Sequence, residues 1–486
     1  MHVNRREFLR KSICAALGGV GLYSALGNLR LISAAAAASP RPGGFGDYKA
    51  LVCIFLYGGN DSFNTIVPMS GQDQVNYLAS RGDLALSTGL QALNPVSGGG
   101  PANYGLHPSM PELSGLFNTG KVAIVPNVGS LLYPVTQAEY QDGNVPTPAQ
   151  LFSHDDQATQ WQTSRPDDSN ANGWGGRIAD MLHTANDGTI PMSVTLSGDN
   201  RFQRGADVSQ YAVDAWGASA AAGGGDPFSV STMSYLGEGP ESWVLPWQDE
   251  NVVANNVTAY NALIAGGTQA NVLERAFADS ATRAIANSAT INNALNGVTL
   301  TTPFPDTDLG NQLAAVAMMI KVRAALGMSR QVFFVAAGGY DTHGTQLADQ
   351  GYQLGELSQA LAAFYAATVE LGVANGVTAF TASDFGRSLA VNGDGTDHGW
   401  GGHHFVVGGG VRGQRFYGDM PSLAQYDDDN PSSNPDDTGY GQIIPKIAVD
   451  QYAATLASWF GVDNGGVNDI FPNLGRFPSS NLGFMN

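Results

Sequence analysis

Runs of apolar residues alternate with helical patterns along most of the chain. Five short runs rich in aliphatic and β-branched residues are typical of buried strands, and they lie at residues 50–57, 122–125, 192–196, 331–336 and 377–381. Three stretches carry apolar residues at spacings of three and four, which predicts helices at residues 309–320, 354–364 and 449–459. This alternation predicts an α/β fold, with a mostly parallel sheet and helices on both of its faces.

The middle of the chain follows this pattern less well. Residues 198–239 are dominated by glycine, alanine and polar residues, which is typical of a surface insertion or lid. Residues 251–296 are rich in alanine and asparagine at helical spacing and predict helices packed on the sheet or on that insertion. Because no repeat or linker divides the remainder, we expect one domain over residues 39–486.

The N-terminus has the composition of an export signal. Arg5 and Arg6 open a charged region, a modest apolar region follows, and small residues near position 38 suit a cleavage site. The adjacent arginines predict a twin-arginine signal over residues 1–38, so we expect an interaction with the twin-arginine translocase and a periplasmic or secreted location. A membrane anchor is the alternative, but the apolar stretch is short, rich in glycine and interrupted by Arg30. No later segment is long and apolar enough to predict a membrane span.

The chain is acidic, with a formal net charge of -19. Residues 1–38 carry five basic side chains and one acidic side chain, so removing their charge of +4 would leave -23. Such a surface disfavours nucleic acid and anionic lipid as partners. An anionic substrate would need a local positive charge, which a bound metal ion could supply.

Acidic and histidine side chains concentrate in a glycine-rich stretch that follows the strand at 377–381, and we interpret this stretch as one loop. It contains Asp384, Asp397, His398, His403 and His404. Carboxylates and imidazoles this close together repel one another or lose hydration unless a cation joins them, which predicts a divalent-metal site. A solvated, hydrogen-bonded loop is the alternative. The stretch leaves the carboxyl end of a strand, where open α/β sheets bind ligands.

Two further strand ends carry similar residues. Two glycines and Asp61 follow the strand at 50–57, and Asp341 and His343 follow the strand at 331–336. Asp61 could bind the metal, or it could cap a turn or a helix. Because the carboxyl ends of parallel strands meet at one edge of a sheet, we expect these residues to lie near Asp384.

Two other places could carry chemistry. Ser153 stands beside His154 and two carboxylates, so its hydroxyl could be a nucleophile or a helix cap. Arg387 lies three residues after Asp384 and could clamp an anion through two parallel hydrogen bonds, or form a structural ion pair.

The order and spacing of these motifs resemble the DUF1501 family of exported bacterial proteins over nearly the whole mature chain. The resemblance is carried by the twin-arginine start and by the motifs at residues 56–68, 106–108, 153–163, 340–343, 383–387, 397–398 and 449–452. That family is grouped with the alkaline phosphatase and sulfatase superfamily. The resemblance therefore implies an alkaline phosphatase-like fold and metal-dependent hydrolysis of an anionic small-molecule or polymer ester of phosphate or sulfate. The alternative is a non-catalytic, metal-stabilised binding or assembly protein of the cell envelope.

The resemblance also implies roles for individual residues. Together with the motifs above, it makes the candidate ligands of a zinc, calcium or manganese ion Asp61, Asp341, His343, Asp384, Asp397, His398 and His403. The candidate catalytic residues are Ser153, His154 and Arg387, although alignment from Trp161 puts His154 at the position of the nucleophile. Phe385 stands where the superfamily has a ligand histidine, which implies that one of two metal positions is weakened or lost.

Overall fold

The computed structural model describes residues 45–215 and 271–486, together with positions 218, 262 and 264. The predicted signal at 1–38 lies outside the described residues. So do most of the predicted insertion at 198–239 and the first part of the helical stretch at 251–296. Within the described ranges, no helix is both long and apolar enough to cross a membrane.

A nine-stranded sheet forms the centre of the fold, in the order β13-β5-β12-β9-β1-β8-β6-β7, with β14 also paired to β5. The described strands are, in chain order, β1 (Lys49–Leu56), β2 (Ile66–Pro68), β3 (Gln91–Ala92), β4 (Tyr104–Leu106), β5 (Val122–Gly129), β6 (Ser193–Thr195), β7 (Tyr211–Ala212), β8 (Arg330–Ala337), β9 (Val377–Ser383), β10 (Arg387–Asn392), β11 (Gly395–His398), β12 (Gly402–Gly408), β13 (Arg415–Phe416) and β14 (Ile447–Ala448). Only β12 runs antiparallel to its neighbours in this sheet. The predicted mostly parallel α/β sheet is therefore confirmed.

Helices cover both faces of the sheet. Those that the structure describes are α1 (Ser62–Thr65), α2 (Gly71–Arg81), α3 (Pro111–Asn118), α4 (Gln137–Asp142), α5 (His154–Thr163), α6 (Trp174–Leu182), α7 (Val272–Leu295), α8 (Asp308–Lys321), α9 (Gln346–Glu370), α10 (Val449–Phe460) and α11 (Asn464–Ile470). The predicted helices at 309–320, 354–364 and 449–459 correspond to α8, α9 and α10.

The side chains of β1 alternate between two hydrophobic cores. Val52 and Ile54 pack in the core formed with α8 and α9, whereas Leu51, Cys53 and Phe55 pack in the core formed with α6 and α10. Successive side chains of a strand point to opposite faces of the sheet, so a strand covered on both faces is apolar throughout. This is why β1 could be predicted from an unbroken apolar run.

The interpretation of residues 384–404 as one loop was wrong. The stretch contains the antiparallel hairpin of β10 and β11 and the first residues of β12. Gly393 has a φ of +72° in the turn between the two hairpin strands, a conformation that glycine adopts at little cost. A high glycine content therefore marks a tight turn here, between segments that pair as strands.

The register of the sheet determines where the candidate residues lie. Leu56 at the end of β1 pairs with Ala337 of β8 and with Ser383 of β9, and both pairings are parallel. The segments that follow these three strands therefore leave the sheet at the same edge. They carry Asp341 and His343 after β8, and Asp384 after β9.

Candidate metal centre

Four side chains converge at this edge. His154 is the first residue of α5, Asp341 and His343 follow β8, and His398 ends β11. His154, Asp341 and His398 each offer one potential ligand atom, and these atoms all lie within 4.8 Å of one another. The chain therefore brings two imidazoles and a carboxylate together from three separate elements.

The distances within this group suit a single cation. His154 Nε2 lies 3.1 Å from His398 Nε2 and 3.4 Å from Asp341 Oδ2. His343 Nε2 lies 3.0 Å from His398 Nε2 and 3.0 Å from Asp341 Oδ1. Two ligand atoms that are each about 2.1 Å from a tetrahedral ion are about 3.4 Å apart. His154, Asp341 and His398 are thus spaced much as they would be around such an ion, and His343 lies beside them.

The outer nitrogens of two imidazoles are already engaged. His398 Nδ1 lies 2.7 Å from the carbonyl oxygen of Phe152, which can only accept, so Nδ1 carries the hydrogen. His154 Nδ1 lies 2.8 Å from Asp384 Oδ2 and donates to that carboxylate. In the neutral tautomers that these contacts select, both Nε2 atoms present lone pairs to each other across 3.1 Å. Two lone pairs at that distance repel unless a proton or a metal ion lies between them.

His343 lies beside His398 and near a further carboxylate. Its Nδ1 lies 3.5 Å from Asp397 Oδ1 while its Nε2 faces the other ligands. Metal-binding histidines usually donate their second ring hydrogen to a carboxylate or a carbonyl group, which fixes the ring orientation and increases ligand basicity. Asp384 and the Phe152 carbonyl group occupy such supporting positions, whereas Asp397 lies within ion-pair distance of His343.

The donor set discriminates among metal ions. Two imidazoles and one carboxylate suit zinc. Calcium is a hard cation that prefers six to eight oxygen ligands, and nitrogen donors dominate here. Manganese also prefers oxygen ligands, so among zinc, calcium and manganese the ion that fits these residues best is zinc.

The group is open to solvent on one side. The side chains of His154, Asp341, His343 and His398 are 33%, 43%, 46% and 24% exposed, respectively. Structural zinc sites are closed by four protein ligands, whereas catalytic sites keep a position for water or substrate. The exposure of these residues leaves room for such a position.

The charge states of the group favour metal ligation. Burial lowers the pKa of His398, which keeps its Nε2 unprotonated. Partial burial raises the pKa of Asp341, but the hydrogen bond and charge of Arg387 outweigh this effect and bring the pKa below its ordinary value. The hydrogen bond to Asp384 raises the pKa of His154 against the effect of burial. A proton therefore competes with a metal mainly at His154.

Arg387 lies inside the protein and faces the group rather than solvent. It is fully buried, and its Nη1 donates to Asp341 Oδ1 at 2.5 Å and to Gly58 O at 3.3 Å. Its Nε donates to Thr396 Oγ1 at 3.2 Å, and its Nη2 donates to Thr396 O. The guanidinium predicted to clamp an anion is thus used to hold the Asp341 carboxylate and the hairpin.

Gly58 allows the chain segments to approach closely. Its φ is +116°, and a Cβ at this position would lie 2.3 Å from Asp341 N. Its backbone N–H donates to Asp384 Oδ2 at 3.0 Å, and its carbonyl group accepts from Arg387. The glycine after β1 therefore joins the segment after β8 to the segment after β9.

Two predicted metal ligands lie away from the group. Asp61 caps α1 by accepting from Phe63 N, and it pairs with the buried guanidinium of Arg81. His403 lies on β12 with its Nδ1 accepting from Asn127 N at 3.0 Å, and its ring is buried. The contacts of both residues are those of internal structure, and neither is among the residues that the geometry groups around a metal.

Ser153 precedes His154 but does not contact it through its hydroxyl group. Its Oγ donates to Asp156 Oδ2 at 2.6 Å, and it makes no side-chain cap of α5. The contact that Ser153 makes is therefore neither a helix cap nor a hydrogen bond to a histidine that could act as its base.

Phe385 forms an aromatic wall beside two of the imidazoles. Its ring centre lies 4.8 Å from that of His154 and 4.7 Å from that of His398. The ring is buried and restricts water on that side. The position that the resemblance assigns to a ligand histidine is thus filled by an apolar contact.

Two contacts of the site, the Phe152 carbonyl group and the pairing of His154 with Asp384, could not be found from the sequence. Phe152 has a φ of +71°, which is uncommon for a residue with a side chain. His154 and Asp384 are 230 residues apart. A backbone acceptor carries no residue-type signal, and a pairing over such a distance follows from tertiary packing alone.

Residues 247–448 match the family described as "Protein of unknown function (DUF1501)". The chain carries a DUF1501 region. The predicted family is confirmed over this segment, which contains Asp341, His343, Asp384 and His398 but not His154.

No curated protein matches the chain. Among solved structures, the DUF1501-containing chain is similar to one titled "Crystal structure of Ps i-CgsB in complex with k-i-k-neocarrahexaose". The two are 9% identical with a TM-score of 0.34, over 86% of this chain and 74% of that chain. A similarity at this level does not bear on activity.

Proposed function

We propose that this protein is a metal-dependent hydrolase of phosphate or sulfate esters that is exported by the twin-arginine pathway. The proposal rests on the Nε2 atoms of His154 and His398, which lie 3.1 Å apart. The Nδ1 atom of each ring already donates its hydrogen to an oxygen atom. A divalent ion bound by these nitrogens would remove their repulsion, and the adjacent Asp341 carboxylate would be a further ligand.

The residues that would hold the ion are His154, His398 and Asp341, and His343 lies next to them. When bound, a zinc or manganese ion supplies a positive charge that polarises an ester oxygen and lowers the pKa of an attacking water. Asp384 orients the His154 ring, and the Phe152 carbonyl group orients the His398 ring.

The surrounding residues favour attack by water and binding of the anion near the ion. The Ser153 hydroxyl group donates its hydrogen to Asp156 and not to a histidine that could act as a base. The Arg387 guanidinium donates hydrogen bonds to Asp341, Gly58 and Thr396. It would have to break these contacts to bind a substrate anion through two parallel hydrogen bonds. The ester class itself comes from the resemblance to the alkaline phosphatase and sulfatase superfamily.

The test begins with the metal content of protein purified without chelator, and with its activity on aryl phosphates and aryl sulfates after zinc or manganese is supplied. We expect one ion per chain and hydrolysis of at least one ester class. His398→Ala should lose the ion and the activity together. His183→Ala, which changes a part-buried histidine on a separate helical turn, should retain both.

The proposal fails if the protein binds neither zinc nor manganese at micromolar concentration. Retention of both ion and activity by His398→Ala would also exclude this site. Ser153→Ala provides a further distinction, because attack by water predicts that it keeps most of the activity whereas a serine nucleophile predicts loss.

A metal-stabilised binding or assembly protein is the second candidate. It is favoured by the internal contacts of Ser153 and Arg387, which engage two of the three predicted catalytic side chains. In that case the ion would raise thermal stability while a broad ester panel remained unhydrolysed with every metal supplied. Thermal stability and ester hydrolysis, measured on the same purified protein with each metal, therefore distinguish the two candidate functions.

A further inference from the structure

A continuous set of hydrogen bonds leads from the interior of the protein to Asp341. Arg387 Nη1 donates to Asp341 Oδ1 at 2.5 Å, and Arg387 Nε donates to Thr396 Oγ1 at 3.2 Å. Thr396 Oγ1 lies 2.7 Å from Gln346 Oε1, and Gln346 Nε2 donates to Asp61 Oδ2. Three side chains thus connect Asp341 to Asp61.

Asp61 sets the direction of these hydrogen bonds. Its carboxylate can only accept, so the amide group of Gln346 turns its NH₂ to Asp61 and its oxygen to Thr396. The Thr396 hydroxyl must then donate to that oxygen, which leaves its lone pairs free to accept from Arg387. Each link in the series has one consistent donor and one acceptor.

Burial differs sharply between the two ends of the series. Asp61, Gln346, Thr396 and Arg387 are at most 1% exposed. The side chain of Asp341 is 43% exposed. A half-exposed carboxylate loses conformational freedom when it is held in one orientation. The hydrogen bonds from the buried residues offset the entropy cost of fixing the Asp341 carboxylate.

The geometry points to Thr396 as a positioning residue that, through Arg387, holds the Asp341 carboxylate in the orientation needed to bind the metal ion. Asp61 and Gln346 orient the Thr396 hydroxyl from the interior. This inference rests on the proposed metal site, but it concerns residues that contact neither the ion nor a substrate. It gives Asp61 a role at the site without making it a ligand.

Thr396→Val tests the inference because it deletes only the hydroxyl link. Thr396 lies on β11, where valine suits a strand. Thr396→Ser restores the hydroxyl group. Thr378→Val is the matched control, since Thr378 is fully buried on β9 and its hydroxyl has no hydrogen-bond partner within the described part of the chain.

Zinc affinity is measured by competition with a chromogenic chelator. Loss of a residue that supports a metal ligand typically lowers affinity, and we expect a decrease of about 10- to 100-fold for Thr396→Val. Thr396→Ser and Thr378→Val should bind as the unchanged protein does. Gln346→Met interrupts the same series one link further from the ligands and should lower the affinity in the same direction, so it replaces Thr396→Val if that variant does not fold.

Crystal structures of the metal-free proteins give a second measurement that does not depend on the ion. In Thr396→Val we expect the Asp341 carboxylate to move away from Arg387 by more than about 0.5 Å, the tolerance of a well-positioned site. Unchanged zinc affinity together with an unmoved Asp341 overturns the inference. If the unchanged protein binds no divalent ion, the proposed function fails, and the position of Asp341 in the variants still decides the role of Thr396.

Discussion

Asp61 and Arg81 form an ion pair in the interior of the protein, and neither side chain is exposed to solvent. Arg81 lies at the end of α2 and also donates to the carbonyl group of Ser388 at 3.0 Å. The carboxylate of Asp61 further accepts from Phe63 N and from Gln346. These contacts account for the position of Asp61 without a metal ion.

Asp61→Asn should therefore destabilise the fold more than it affects metal stoichiometry. Removing one charge of a buried pair leaves the other uncompensated, which costs about 3–5 kcal/mol. Urea denaturation should show this loss, while the protein saturated with zinc still holds one ion per chain. Adding Arg81→Met to Asp61→Asn should recover part of the stability. Loss of the ion with the stability intact would instead make Asp61 a ligand.

Asp384 should support metal binding through His154. Asp384→Asn weakens the acceptor of the His154 Nδ1 hydrogen, and we expect zinc affinity to fall by about 10- to 100-fold. Asp397→Asn is the comparison, because Asp397 is 61% exposed and lies 3.5 Å from His343 Nδ1, so its effect should be smaller. Titration calorimetry with a competing chelator measures both. Equal losses in the two variants would contradict the importance assigned to the shorter contact.

The metal-free protein should lose stability as the pH falls below about 6.5. Burial lowers the pKa of His403 to about 4 and that of His404 to about 3. Between the unfolded pKa of about 6.5 and these values, the unfolded chain binds protons that the folded chain does not, so acid favours unfolding. The shift at His403 alone corresponds to roughly 3 kcal/mol.

Urea denaturation in the presence of chelator, from pH 7 to pH 4, measures this decline. His404→Phe removes a titrating group from a site lined by Trp161 and Tyr452 and should reduce the slope of stability against pH. His154 acts in the opposite direction, because its pKa is raised and its contribution is lost as the pH rises through that value. A stability that stays constant down to pH 4 would show that the buried histidines are protonated without cost.

Export should depend on the paired arginines. Replacing Arg5 and Arg6 together with lysine should leave the precursor in the cytoplasm, because the arginine pair distinguishes this type of signal. Fractionation followed by detection of the precursor and the mature chain gives the result. Replacing the isolated Arg30 with lysine is a control that should leave export unchanged. Normal export of the double variant would exclude the twin-arginine assignment.

Much of the fold could be predicted because burial on both faces leaves a simple pattern. The run at 377–381 corresponds to β9 (Val377–Ser383), and the spacing at 449–459 corresponds to α10 (Val449–Phe460). Strand β12 does not show this pattern, because His403 and His404 are buried within it. Polar residues in a central strand break the apolar pattern on which such predictions depend.

The candidate site could be predicted in part. Parallel strand ends placed Asp341, His343 and Asp384 at one edge, and the structure brings these residues together with His398 there. Asp61 lies apart from them because it pairs with Arg81 of α2, and periodicity along the chain does not indicate such a side-chain pairing. Strand order predicts which loops meet, whereas side-chain contacts depend on packing between distant elements.

His154 meets His398 across 244 residues of chain, whereas His343 and His398 are separated by 55. In an unfolded chain these imidazoles are rarely close together, and the entropy of closing such a loop grows with the logarithm of its length. An ion held by both histidines therefore binds the native chain in preference to any unfolded one. Removing the ion would increase the rate at which the whole molecule unfolds, so the lifetime of the protein would follow the supply of metal in its surroundings.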